Sequence, residues 1–121
     1  MVPMEPAYLV GTGGAIGAVL RYLVATLIAR WGGQRRFPLS TLVVNVVGSF
    51  ALGVVIFGGF GETTTLFVGV GICGAFTTYS SFSVQTVRLW EDGMTGYALA
   101  NAVGNLALSA VAVGAAWLLV G

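Results

Sequence analysis

Four apolar runs, at residues 8–29, 40–59, 65–90 and 97–120, take up nearly the whole of a 121-residue chain. A helix crossing a hydrocarbon core of about 30 Å needs about 20 residues at about 1.5 Å each, and every run reaches that length. In lipid the backbone must satisfy its own hydrogen bonds, so runs like these fold as helices. With 57% hydrophobic and 7% charged residues, the chain also lacks the polar surface of a soluble domain. The sequence therefore predicts an all-α membrane protein, one four-span domain over residues 1–121. The connections WGGQRRFPLS, GGFGETT and EDGMTG are short, so consecutive helices are expected to be antiparallel neighbours. The opening MVPMEP has no basic residue ahead of the first run, which argues against a cleaved signal peptide.

The charged residues exclude several functions. Five arginines face four carboxylates, lysine and histidine are missing, and a net charge of +1 supplies no field for nucleic acid. Cys73 is a single cysteine in an apolar run, so it forms no intrachain disulfide and reads as a small buried hydrophobe. Glu5, Glu62, Glu91 and Asp92 all fall at span ends or in turns. A proton-coupled exporter of the four-span multidrug type needs a carboxylate within the membrane, and cation pores often use acidic rings. Neither is available. Catalysis is not expected, because no histidine, acid pair or activated cysteine is placed for it. What the spans do contain is neutral donors, namely asparagine amides, serine and threonine hydroxyls, and electropositive aromatic ring edges. Such groups solvate a small anion.

The donors are patterned. Asn45 falls near the middle of the second run, with Thr41 and Ser49 four residues to either side, and Asn101, Asn105 and Ser109 repeat that interval in the fourth. Each stripe reads either as interhelical hydrogen bonding in a non-transporting structural subunit or as a polar track for an ion. The third run contains GICGAFTTYSSFS, where Gly71, Gly74, Thr77 and Thr78 weaken a regular helix in mid-membrane. A break there must line a cavity or lie inside protein. Gly13 and Gly17 suit close helix approach in the first run. Arg21 either snorkels to the membrane surface or stands as an anion-attracting charge in a vestibule.

Through GGAIGAVLRY, TLVVNVVGSF and GAFTTYSSFS, in this order and spacing, the chain resembles the small fluoride channel family called Fluc, or CrcB. The resemblance implies an antiparallel, dual-topology dimer with a broken third helix, two pores, passive fluoride export across the cell membrane, and a central structural sodium ion. Position by position, it implies Asn45 as the pore amide, Tyr79 and Phe82 as pore aromatics, and Ser80 and Ser81 as adjoining hydroxyls. It further implies Thr41 one turn before the amide, Asn105 and Ser109 as the track of the last span, and Arg21 in the vestibule. Gly74 and Thr77 would bind sodium through their carbonyl oxygens. Tyr79 stands where the family usually has phenylalanine, and Asn101 where it commonly has tyrosine.

If the spans alternate, Arg30, Arg35, Arg36 and Arg88 share one side of the membrane. The positive-inside tendency then favours one orientation, with both termini outside. That bias raises a heterodimer with an oppositely biased paralogue beside the homodimer.

Overall fold

The computed structural model describes residues 5–32 and 37–121. Arg35 and Arg36 lie outside the described residues. Helix α1 covers Glu5–Gly32 and α2 covers Leu39–Phe57. The third span begins as α3 (residues 62–76), continues as α4 (Ser80–Glu91), and is followed by α5 (Thr95–Val120). Four stretches, residues 6–31, 39–57, 62–91 and 95–120, are long and apolar enough to cross a membrane. Gly59 and Gly93, at φ 75° and 80°, make the turns after α2 and α4, where a side chain would be strained.

Side-chain size sets the packing. The buried face of α5 carries Ala98, Asn101, Asn105, Ala112 and Ala116, small or polar residues at helical spacing. Its large residues point outward, with Leu106 and Leu118 more than 70% exposed. This inverts a soluble helix, as expected where lipid or another membrane helix is the surroundings. Fourth and second spans meet along this small face. Phe37 and Tyr97 touch edge-on with ring centroids 6.0 Å apart, Asn45 meets Asn105, and Gly53 faces Ala116. Both numbers rise together, so α2 and α5 run in the same direction.

The other pair is α1 with α3. A Cβ on Gly13 would fall on the Phe67 carbonyl oxygen, and one on Gly17 would fall on that of Ile72. Contacts again rise together, from Gly13 with Gly71 to Gly17 with Phe76, so first and third spans are also parallel. Within α3, Thr65–Cys73 winds in the wider π-helical manner, and the Gly74 N–H reaches back five residues to the Gly69 carbonyl. Such winding is uncommon and concentrates at functional sites. Helical geometry stops at Phe76, Thr77 is extended (φ −77°, ψ 157°), and the helix resumes at Ser80.

Candidate functional site

Asn45 meets the third span at residues 77–79. Its Oδ1 accepts the Thr78 N–H at 2.8 Å while its Nδ2 donates to the Thr78 carbonyl at 3.2 Å. One side chain thus holds both polar groups of one residue. In a continuous helix the Thr78 N–H would donate to Gly74 and the Ser81 N–H to Thr77. Here the first goes to Asn45, and the second goes to Thr78 Oγ1 at 3.2 Å. The Gly74 and Thr77 carbonyls therefore lose their helical donors. Gly74 keeps a long contact from its neighbour, Thr77 Oγ1 at 3.5 Å; that hydroxyl lies closer to Cys73, at 3.0 Å. Backbone carbonyls released in this way are oxygen ligands of the kind that suits a hard cation such as sodium.

From Asn45 the polar contacts continue into α5 and return to α4. Asn45 Nδ2 donates to Asn105 Oδ1 at 2.9 Å, and Asn105 Nδ2 donates to both Oδ1 and the carbonyl of Asn101 at 2.8 Å. Asn101 Nδ2 donates to Thr86 Oγ1 at 2.8 Å, whose proton goes to the Phe82 carbonyl at 2.8 Å. Asn101 is completely buried and Asn105 nearly so. A buried amide must be paired, and each of these is.

Cavities lined by described residues flank this core. One, about 320 Å³, is lined by Asn45, Ser49, Tyr79, Phe82, Asn105 and Ser109 among others. The Tyr79 and Phe82 rings lie 6.0 Å apart and tilted by 46° at its wall, and Tyr79 is 80% exposed. A second, about 140 Å³, is lined by Arg21, Ser40, Thr41, Thr78, Ser81 and Gln85. Thr78 lies on both, so the residue clamped by Asn45 separates the aromatic cavity from the arginine cavity. A third, about 280 Å³, is lined by Ser80, Ser81, Val84, Gln85 and Arg88.

The structure divides the residues that the sequence groups together. Asn45, Tyr79, Phe82, Asn105 and Ser109 share the aromatic cavity, whereas Thr41 and Ser81 face Arg21, and Ser80 opens toward Arg88. Helix geometry explains this. A four-residue step turns about 400°, so from Thr41 to Ser49 the stripe drifts by about 80° around α2. At the start of α4, Tyr79 and Phe82 share one face while Ser81 and Gln85 share another. The donor inventory changes as well. Both hydrogens of the Asn45 amide are committed within the chain, and those of Asn105 go to Asn101. Among the described residues, the hydroxyls of Ser49, Ser109 and Tyr79 line this cavity without a hydrogen bond.

Gln85 and Thr86 are functional candidates that the sequence reading passed over. Gln85 Oε1 is buried and unpaired beside the Arg21 cavity, and Thr86 links Asn101 to Phe82. The spacing Thr78, Ser81, Gln85 was a legible signal, because i, i+3 and i+7 share one helical face.

Comparison with known proteins matches residues 8–117 to the model of the CrcB-like protein family, described as Camphor Resistance (CrcB). A protein of Haloarcula marismortui, Fluoride-specific ion channel FluC 2, is 56% identical over 97% of this chain and 95% of its own length. Fluoride-specific ion channel FluC 1 of Halobacterium salinarum is 47% identical over 95% of this chain and 93% of its own. A bacterial relative, the Fluoride-specific ion channel FluC of Opitutus terrae, is 45% identical over 86% of this chain and 83% of its own.

Proposed function

Because this chain belongs to the CrcB-like family, whose members resembling it are named fluoride-specific ion channels, we propose that it is a fluoride channel subunit giving passive fluoride export. It is an integral membrane protein and not an enzyme, and we place it in the cell membrane. The observation that carries the reading is the aromatic cavity. Its wall combines two aromatic rings with hydroxyls that have no hydrogen-bond partner among the described residues, and its lining contains no carboxylate. Fluoride is small and strongly hydrated, so a pathway must replace its water with donors in a narrow space. Ser49, Ser109 and the Tyr79 phenol supply hydrogens directly, while Tyr79 and Phe82 offer positive ring edges. In this scheme Asn45 shapes the constriction by holding Thr78, and an anion meets its amide only by displacing Asn105 Oδ1 or the Thr78 carbonyl. Arg21, with Thr41 and Ser81, forms the charged vestibule on the other side of Thr78.

The working unit in this reading is an antiparallel dimer with two such pathways, built around a broken third helix. Tyr79, largely exposed on one protomer, would be covered by the second. The Gly74 and Thr77 carbonyls would hold a sodium ion, which would supply a fixed positive charge and join the two breaks. Two carbonyls from one chain leave such an ion under-coordinated, and a second copy doubles them.

Reconstitution of the purified chain in fluoride-loaded liposomes tests the proposal, with chloride-loaded vesicles as control. Rapid efflux of fluoride but not chloride is expected. A folded protein in either orientation that passes neither ion, alone or with an oppositely oriented partner, overturns the reading.

A further inference from the structure

One series of hydrogen bonds, starting at the Thr78 N–H, keeps a single direction from link to link. The Thr78 N–H donates to Asn45, Asn45 to Asn105, Asn105 to Asn101, Asn101 to Thr86, and Thr86 to the Phe82 carbonyl. An isolated amide can turn over and exchange its oxygen and nitrogen, but in this series each link dictates the orientation of the next. As the Thr78 backbone is the constraint at the near end, so the Thr86 hydroxyl is the constraint at the far end. Its proton is fixed on Phe82, so its lone pair must accept from Asn101, which turns the Asn101 oxygen toward Asn105 and the Asn105 oxygen toward Asn45. Chains aligned in this manner polarise one another. Both ends of the series lie on the aromatic cavity, through Thr78 at one end and Phe82 at the other.

We propose that Asn101 and Thr86 are positioning residues for permeation: neither lines the aromatic cavity, yet together they fix the amide of Asn45 and the placement of Phe82 across it. The inference rests on the fluoride-channel reading, and it assigns the buried stripe of α5 a different role from a conducting track. An ion cannot use Asn101, which is sealed from solvent and has both ends of its amide engaged.

The test compares Thr86→Val, an isostere without the hydroxyl, with Thr86→Ser, which keeps it, and with Asn101→Ser, which is too short to reach Thr86. Only assembled protein eluting like the wild type is reconstituted. Fluoride flux per channel in Thr86→Val and Asn101→Ser is expected to fall roughly tenfold, the effect of a barrier higher by about 1.4 kcal/mol. The fluoride-to-chloride ratio should fall with it, and Thr86→Ser should restore both. Side-chain amide NMR provides a second readout that does not depend on flux: Thr86→Val should shift and broaden the Asn105 and Asn45 amide signals, two and three links away. Wild-type flux and selectivity in an assembled variant, or a response confined to Asn101, overturns the proposal. Loss of assembly in both variants would also overturn it, making the series a structural strut. A wild type that passes no fluoride would instead remove the functional reading, and the amide signals would still decide the series.

Discussion

At the scale of single residues, Asn45 shows how one amide can act through backbone. It holds the Thr78 N–H and carbonyl together and adds a bond to Asn105. Asn45→Ala therefore leaves a donor and two acceptors without their partners. Burying one such group unpaired costs about 1–3 kcal/mol, although bonds between membrane helices average only about 0.6 kcal/mol. A loss of at least about 1 kcal/mol is expected, read as a lower melting temperature in detergent, together with loss of fluoride flux. An unchanged melting temperature would mean that Thr78 holds its geometry without the clamp. That Asn45 mattered was legible from the sequence, because an amide in mid-membrane must be paired or wet. That it binds the chain 33 residues away, and thereby takes the Thr78 N–H from the Gly74 carbonyl, was not. Such a bond depends on how helices settle against each other, which local spacing does not encode.

Elements pack here by what glycine leaves out. At Gly17 an added Cβ falls on the Ile72 carbonyl oxygen, which is backbone and cannot rotate away. Gly14, one turn before, faces the Ala75 Cβ at 3.9 Å, an ordinary contact. The pair makes a controlled comparison. Gly17→Ala should separate α1 from α3 and destabilise by about 1–3 kcal/mol, whereas Gly14→Ala should be neutral or slightly stabilising, since alanine favours a helix by about 1 kcal/mol. Thermal unfolding of the two purified variants decides it; equal stability would show that α1 and α3 slide apart at little cost. The four spans and the role of Gly13 and Gly17 could be read from the sequence, because span length and small-residue spacing are local properties. The division of Thr41, Ser80 and Ser81 among separate cavities could not. Each residue turns about 100° around its helix, and only the packed partner determines which cavity a given direction meets.

For the whole molecule, the charge pattern opposes the symmetry that an antiparallel homodimer requires. First and third spans run parallel, as do second and fourth, so the first and third connections lie on one side. That side has Arg30 in the last turn of α1, Arg88 in the last turn of α4, and Arg35 and Arg36 between α1 and α2. No arginine stands in the second connection. Glu91 and Asp92 share the arginine-rich side, but acids contribute little to orientation. The chain is thus expected to insert mainly one way, with its C-terminus outside. Reporters fused to the C-terminus, one active only inside the cell and one only outside, measure this directly. A strong outside bias means that antiparallel pairing takes a second chain of opposite bias, and that fluoride flux rises when the two are expressed together. Equal signals from the two reporters would remove the basis for a heterodimer, since the chain would then supply both orientations itself.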